Sequence, residues 1–178
     1  MSEEIKPYNF KWKDLGDIER GRPNLGNTMS VTVYRLMQYT MRDVLNRKLS
    51  PETASELLRE AGYVAGSEFC RNMLNTELPL SAFVAQLQDL LQSLKIGIMR
   101  LEKSDAEILD FTLTVSEDLD CSGLPVTGVT VCEYDEGFIA GIFEGYTGKV
   151  FNVREVDCWS TGERTCRFRA VVETGLSS

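Results

Sequence analysis

Five cysteines, Cys70, Cys121, Cys132, Cys158 and Cys166, hold most of the chemistry open to this chain. Cys158 and Cys166 stand symmetrically about Gly162 in the run Cys158-Trp-Ser-Thr-Gly162-Glu-Arg-Thr-Cys166. A hairpin with Gly162 at its tip would bring them opposite one another, with α-carbons about 4.5–5.5 Å apart. Two thiols at that separation can share a metal ion or close a disulfide. Glu155 precedes Cys158 by three positions, which in a regular strand puts the two on opposite faces, so a bend or bulge between them is required. Cys132 is free to approach from another layer. Three thiolates and one carboxylate (Cys132, Glu155, Cys158, Cys166) suffice for a closed tetrahedral zinc site with Zn–S near about 2.3 Å. Such a site would be structural, and Arg154, Arg164 or Arg167 could offset its negative charge. Spacing alone also admits packed free thiols and a redox disulfide, although the chain has no Cys-x-x-Cys. Cys121 could replace Glu155 as the fourth ligand, and Cys70 is expected to be unligated.

The chain has no histidine. That excludes a Ser-His-Asp triad, a Cys-His pair, His-ligated zinc and His-ligated haem. An odd cysteine count with no charged-then-apolar leader argues against a disulfide framework. The net charge of −8 and a pI near 4.7 disfavour nucleic acid as a partner. No apolar run approaches the roughly 20 residues that cross a bilayer, so a cytoplasmic protein with no membrane span is expected. Its 178 residues, 43% hydrophobic and 26% charged, suit one globular domain with a sizeable core.

The elements that must position these groups follow from periodicity and punctuation. Residues 1–27, broken by Pro7, Gly16, Gly21, Pro23 and Gly26, read as an N-terminal arm in which Tyr8, Phe10 and Trp12 alternate as a short strand would. Asn27 or Thr28 caps a helix to about Leu49, with Val33, Leu36, Met37, Met41, Val44 and Leu45 on its apolar face. Ser50-Pro51 opens a second helix to about Leu74, with Leu57, Leu58, Ala61, Ala65, Phe69 and Met73 on one side. Gly62 and Gly66, one turn apart, let a neighbour approach closely. A third helix covers about 80–94. The period then changes to two, giving strands at Ile96–Leu101 and Ile108–Val115. Val129–Tyr134 reads as a short strand and 136–146 as an inserted helix, where Gly137 and Gly141 again permit close packing. Two last strands, about 149–159 and 165–173, flank the Thr161-Gly162-Glu163 turn. Helices first and strands later predict an α+β fold over residues 28–178, with N-terminal helices packed on a twisted antiparallel sheet and a short helix inserted before the C-terminal hairpin.

From about Leu113 to Phe168 the chain resembles the 4-vinyl-reductase domain family. The matching residues are Cys132-Glu-Tyr-Asp-Glu-Gly137-Phe-Ile-Ala-Gly141, then Glu155-Val-Asp-Cys158, Gly162-Glu163 and Cys166-Arg-Phe168. The resemblance implies a fold shared with a vesicle-tethering subunit family and with haem nitric-oxide sensors. It implies an internal pocket for a small hydrophobic molecule, as in the sensor domains of aromatic-responsive bacterial activators. It also implies zinc at the positions of Cys132, Glu155, Cys158 and Cys166, and a homodimer formed through the N-terminal region. The chain has no ATPase or DNA-binding segment, so a stand-alone module is expected. Without histidine, recognition of a phenol hydroxyl by that residue is not expected, and without Gly-x-Gly-x-x-Gly neither is reductase chemistry.

A ligand pocket would be mostly apolar with a few polar groups. Its candidates are Phe83, Leu87, Phe111, Leu113, Tyr134 and Phe138, each of which periodicity also reads as plain core. Trp159 would shield the zinc. Tyr34 and Tyr39 would lie in core or interface, and Glu133, Asp135 and Glu136 on a solvated face. The chain is thus expected to be a non-enzymatic binding or sensing module. The alternatives are a protein–protein tethering scaffold and an accessory protein that binds a chlorophyll-type tetrapyrrole.

Overall fold

A computed structural model describes residues 8–173. Four helices of the described chain, α1 (Ile18–Gly21), α2 (Val31–Lys48), α3 (Pro51–Met73) and α4 (Leu80–Ser93), precede two strands, β1 (Ile98–Asp105) and β2 (Asp110–Ser116). Helix α5 (Glu133–Thr147) and strands β3 (Phe151–Asp157) and β4 (Cys166–Val172) follow. The strands form one antiparallel sheet in the order β1-β2-β4-β3. This is the α+β architecture expected, with α5 as the insertion before the last hairpin. Ser50 accepts the Thr53 amide with Pro51 in the first turn, so α3 starts where its cap residues put it.

One sheet face is apolar and carries Phe111, Leu113, Val115, Phe151, Val153, Phe168 and Ala170 against the helices. The other face holds Arg169 paired with Asp110, and Arg167 paired with Glu102 and Asp157. Alternate residues of one strand thus serve core and solvent, as the pleat requires.

Helices α3 and α5 pack backbone to backbone. A Cβ added at Gly62 or Gly66 would overlap the carbonyls of Tyr134 and Phe138, and one at Gly137 or Gly141 would overlap those of Arg59 and Tyr63. Two reciprocal small-residue stripes therefore set the separation of the helices. The buried face of α3 runs through Ala54, Leu58, Gly62, Gly66 and Phe69. Leu57 and Ala61 lie outside it, so the sequence pattern placed the buried stripe about one position off.

Three other segments differ from expectation. Residues 129–132 form no strand, and α5 begins at Glu133, because Cys132 is its N-cap and its carbonyl accepts the first helical bond from Glu136. The segment around Tyr8, Phe10 and Trp12 is not a strand. It leads into a 3-10 turn at Trp12–Leu15, pinned where the Trp12 amide donates to Glu68 Oε2 on α3 at 2.9 Å. Helix α2 buries none of its residues. Its apolar stripe, Val33, Leu36, Met37, Met41 and Val44, faces outward, and its polar side faces the protein.

Candidate metal centre and adjoining cavity

Four sulfurs meet where three parts of the fold converge. The Sγ atoms of Cys121, Cys132, Cys158 and Cys166 lie within 4.8 Å of one another, and all four residues are buried. Cys121 comes from the turn after β2, Cys132 caps α5, Cys158 ends β3, and Cys166 opens β4. Asp157 pairs with Arg167 in the ladder, so Cys158 and Cys166 stand next in register at the mouth of the hairpin. The register shift between Glu155 and Asp157 is the bulge that the Glu155–Cys158 spacing demanded.

The sulfur spacing suits a metal. A tetrahedral ion with M–S bonds of about 2.3 Å places its sulfurs about 3.8 Å apart, and both Cys132–Cys158 and Cys132–Cys166 measure 3.9 Å. The Cys121–Cys166 distance is 2.9 Å, well beyond a disulfide bond of about 2.05 Å. The donor set is soft thiolate, as zinc favours.

Glu155 lies beside this group. Its Oε2 accepts the Cys132 amide at 3.3 Å, and its Oε1 is buried with no hydrogen-bond partner. Burial, followed by the neighbouring Cys158, pushes its carboxyl up to about 8. Hydrogen bonds from the other three cysteines draw the Cys158 thiol far down, while the same contacts push Cys132 up. These shifts describe one negative charge shared among crowded sulfurs, and a divalent cation would invert them.

The acidic run 133–136 is no solvated face. Glu133 is clasped by Arg42 at 2.5 Å and by Ser55. Glu136 is buried, accepting the Glu155 amide at 2.8 Å on one oxygen and Arg59 on the other. Asp135 is enclosed by protein, and burial, then Asp120 and Asp118, raises its carboxyl well above the usual range. The reason is steric: the glycine stripe draws α5 so close to α3 that its whole first turn sinks into the fold.

Helix α2 holds the loop that brings Cys121 in. Asp120 accepts from Tyr34 Oη at 2.8 Å and from Gln38 Nε2 at 2.6 Å. Its backbone carbonyl accepts from Tyr39, and Arg35 donates to the Leu119 carbonyl. Tyr34 and Tyr39 thus act as polar clamps on this loop, and burial followed by Asp120 raises both phenols. Asp118 closes the turn from inside, its Oδ1 accepting the amides of Asp120 and Cys121.

Against this cluster lies a cavity of about 30 Å³, between α4, α5 and the β1–β2 strands. Three expected pocket residues, Leu87, Leu113 and Phe138, line it, together with Met99, Asp118 and Asp135. The other three lie elsewhere. Phe83 stacks on Tyr146 and Phe111 on Phe143 within the core, and Tyr134 borders a surface groove beside Tyr8 and Leu57. Trp159 stacks under Arg164 near the cluster. Sequence reasoning missed Asp118, Asp120 and Arg42. Only Asp118 carried a signal, as an aspartate two and three residues before the amides it caps.

Residues 111–172 match the profile of the 4-vinyl-reductase domain. Two curated relatives from Methanocaldococcus jannaschii are both called uncharacterized proteins. MJ0150 is 22% identical, with 99% of this chain and 96% of that protein covered, and MJ1642 is 23% identical, with 81% and 78% covered. Among solved structures, the phenol-responsive sensory domain of the transcription activator PoxR, solved with phenol, superposes with a TM-score of 0.60 at 16% identity, over 81% of this chain and 75% of that one. A vinyl-4-reductase family protein of Methanocaldococcus jannaschii gives 0.58 at 16%, over 93% and 99%. Trafficking protein particle complex subunit 3 of Naegleria fowleri, covalently bound to palmitic acid, gives 0.57 at 10%, over 84% and 100%. With the cysteine hairpin, the glycine-packed inserted helix and the sheet all falling in or beside the matched stretch, this chain carries a 4-vinyl-reductase domain in the fold of these sensory and trafficking proteins.

Proposed function

We propose that the chain is a non-enzymatic binding module for a small hydrophobic or aromatic ligand, built around a structural zinc site. The observation that carries this reading is the apolar cavity between α4, α5 and the sheet, abutting the four-cysteine cluster. At about 30 Å³ it has room for one or two waters. A ligand therefore enters by displacing a wall, and α4 is the wall that can yield, since it packs chiefly on β1. A macrocyclic pigment would need far more of the core to move. Zinc held by Cys132, Cys158 and Cys166, with Cys121 at the fourth corner, would fasten α5 to the final hairpin and to the loop clamped by α2. Glu155 then serves as the acceptor for the Cys132 amide. Free thiolates of this kind suit a reducing compartment such as the cytoplasm. No helix among the described residues is long and apolar enough to cross a membrane.

The test uses the full chain with phenol, indole and toluene. At a hundredfold excess over its Kd, a ligand stabilises by about 2.7 kcal/mol, or roughly 5–10 °C in a chain of this size. If no compound moves the melting temperature and native mass spectrometry finds no co-purified molecule, the reading fails.

The outward stripe of α2 supports a homodimer. Leu36 at 65% exposure and Met37 at 55% are large apolar side chains left in water, in one row spaced three and four residues apart. Pairing two copies through α2 would cover both rows. Leu36→Glu combined with Met41→Glu should turn a dimer into a monomer in analytical ultracentrifugation without loss of melting temperature. A parent protein that sediments as a monomer at micromolar concentration would remove this part of the reading.

A further inference from the structure

The polar end of the cavity bears on which ligands it can take. Of the groups lining it, only Asp118 and Asp135 are charged, and no lysine or arginine is among them. Asp118 spends one oxygen on two backbone amides. Asp135 differs: its Oδ2 is buried and has no hydrogen-bond partner. The residue is enclosed by protein, and the accessible surface it retains belongs to the cavity it lines. The nearest cations are occupied elsewhere, Arg42 on Glu133 and the Val131 carbonyl and Arg35 on the carbonyls of Leu119 and Asp118. The other charged neighbours of Asp135 are Asp120, Asp118 and Glu155. An orphaned buried acceptor is unfavourable, and native folds retain few of them without a use.

We infer that the ligand of this cavity is a small apolar molecule bearing a hydroxyl or a protonated amine, whose O–H or N–H donates to Asp135 Oδ2, and that carboxylates are excluded. The inference rests on the binding-module reading and narrows it. A donor on the ligand satisfies the orphaned oxygen, whereas a purely apolar analogue leaves it buried and unpaired. A site organised around such a bond rejects the analogue that lacks it by a large factor. An anion would face three carboxylates and the sulfur cluster with no cation to meet it.

The probes are benzyl alcohol, benzylamine, toluene and benzoate, titrated calorimetrically into the full chain and into Asp135→Asn and Asp135→Leu. Benzyl alcohol or benzylamine should bind at least about tenfold more tightly than toluene, and benzoate should not bind. Asp135→Asn should weaken benzylamine selectively, and Asp135→Leu should make toluene the equal of benzyl alcohol. Equal binding of toluene and benzyl alcohol to the parent overturns the donor requirement while leaving the binding module standing. Tight benzoate binding overturns the exclusion, and failure of all four probes removes both readings. Unchanged preferences in both variants, or a loss of metal from Asp135→Asn in elemental analysis, would take Asp135 out of the ligand site.

Discussion

Cys158→Ser should purify with its zinc lost and its fold weakened, where the parent protein returns about one zinc per chain in elemental analysis. The size of the effect follows from what the cluster joins. Cys121 sits on the loop after β2, Cys132 on the first turn of α5, Cys158 and Cys166 on the hairpin. Removing one sulfur from a closed tetrahedral site opens it to water and leaves three crowded thiols with no ion to share. The expected loss is on the order of 4 kcal/mol, which for a domain of this length lowers the melting temperature by about 8–16 °C. Cys70→Ala is the control: Cys70 is buried but stands apart from the four, so metal content should not change. Cys121→Ser and Glu155→Gln decide the fourth corner. With Cys121 as ligand, the first loses metal and the second retains it, and the reverse pattern would assign the corner to Glu155. Full zinc in Cys158→Ser would reject the site altogether.

The fold was legible where local chemistry and tertiary packing agree. Ser50-Pro51 announced α3, the period-two run announced β2, and the Glu155–Cys158 spacing required the bulge that the ladder shows at that point. The glycine pairs at 62 and 66 and at 137 and 141 announced a close approach, and each pair is met by the other helix. Legibility ended where burial depends on a partner that sequence does not name. The regular apolar row of α2 reads as a core face, yet here it is the polar row, Tyr34, Arg35, Gln38, Tyr39 and Arg42, that touches the protein. Periodicity finds that a helix is amphipathic and is silent on whether its apolar face meets its own chain or another. The acidic run at 133–136 misled for a similar reason: charge predicts solvent unless packing forbids it. The pocket was half legible, because Leu87, Leu113 and Phe138 share a period with Phe83 and Phe111, and only three-dimensional packing separates lining from filled core.

Gly137→Ala tests the packing on which the cavity and the sulfur cluster both depend. In an isolated helix this change would gain about 1 kcal/mol through propensity. Here the new methyl group would occupy the space of the Arg59 carbonyl on α3, and that obstacle is backbone, which cannot rotate aside as a side chain can. The helices must separate, and the net result should be destabilisation by about 2–4 kcal/mol, read as a fall of roughly 4–16 °C in melting temperature. Gly21→Ala supplies the contrast, since nothing lies within 4 Å of its added Cβ, and its stability should stay within about 0.5 kcal/mol of the parent. The damage from Gly137→Ala should also spread along α5. Cys132 is that helix's N-cap, and Asp135, Phe138 and Ile142 line the cavity from it. Moving α5 away from α3 therefore shifts one corner of the metal site and one wall of the pocket together. The variant should bind zinc less tightly as well as melt earlier, although residue 137 touches neither site. Gly137→Ala with unchanged metal affinity and a melting temperature equal to that of Gly21→Ala would mean that the α3–α5 contact is looser than its backbone geometry indicates. The stripe would then be incidental to the domain's construction.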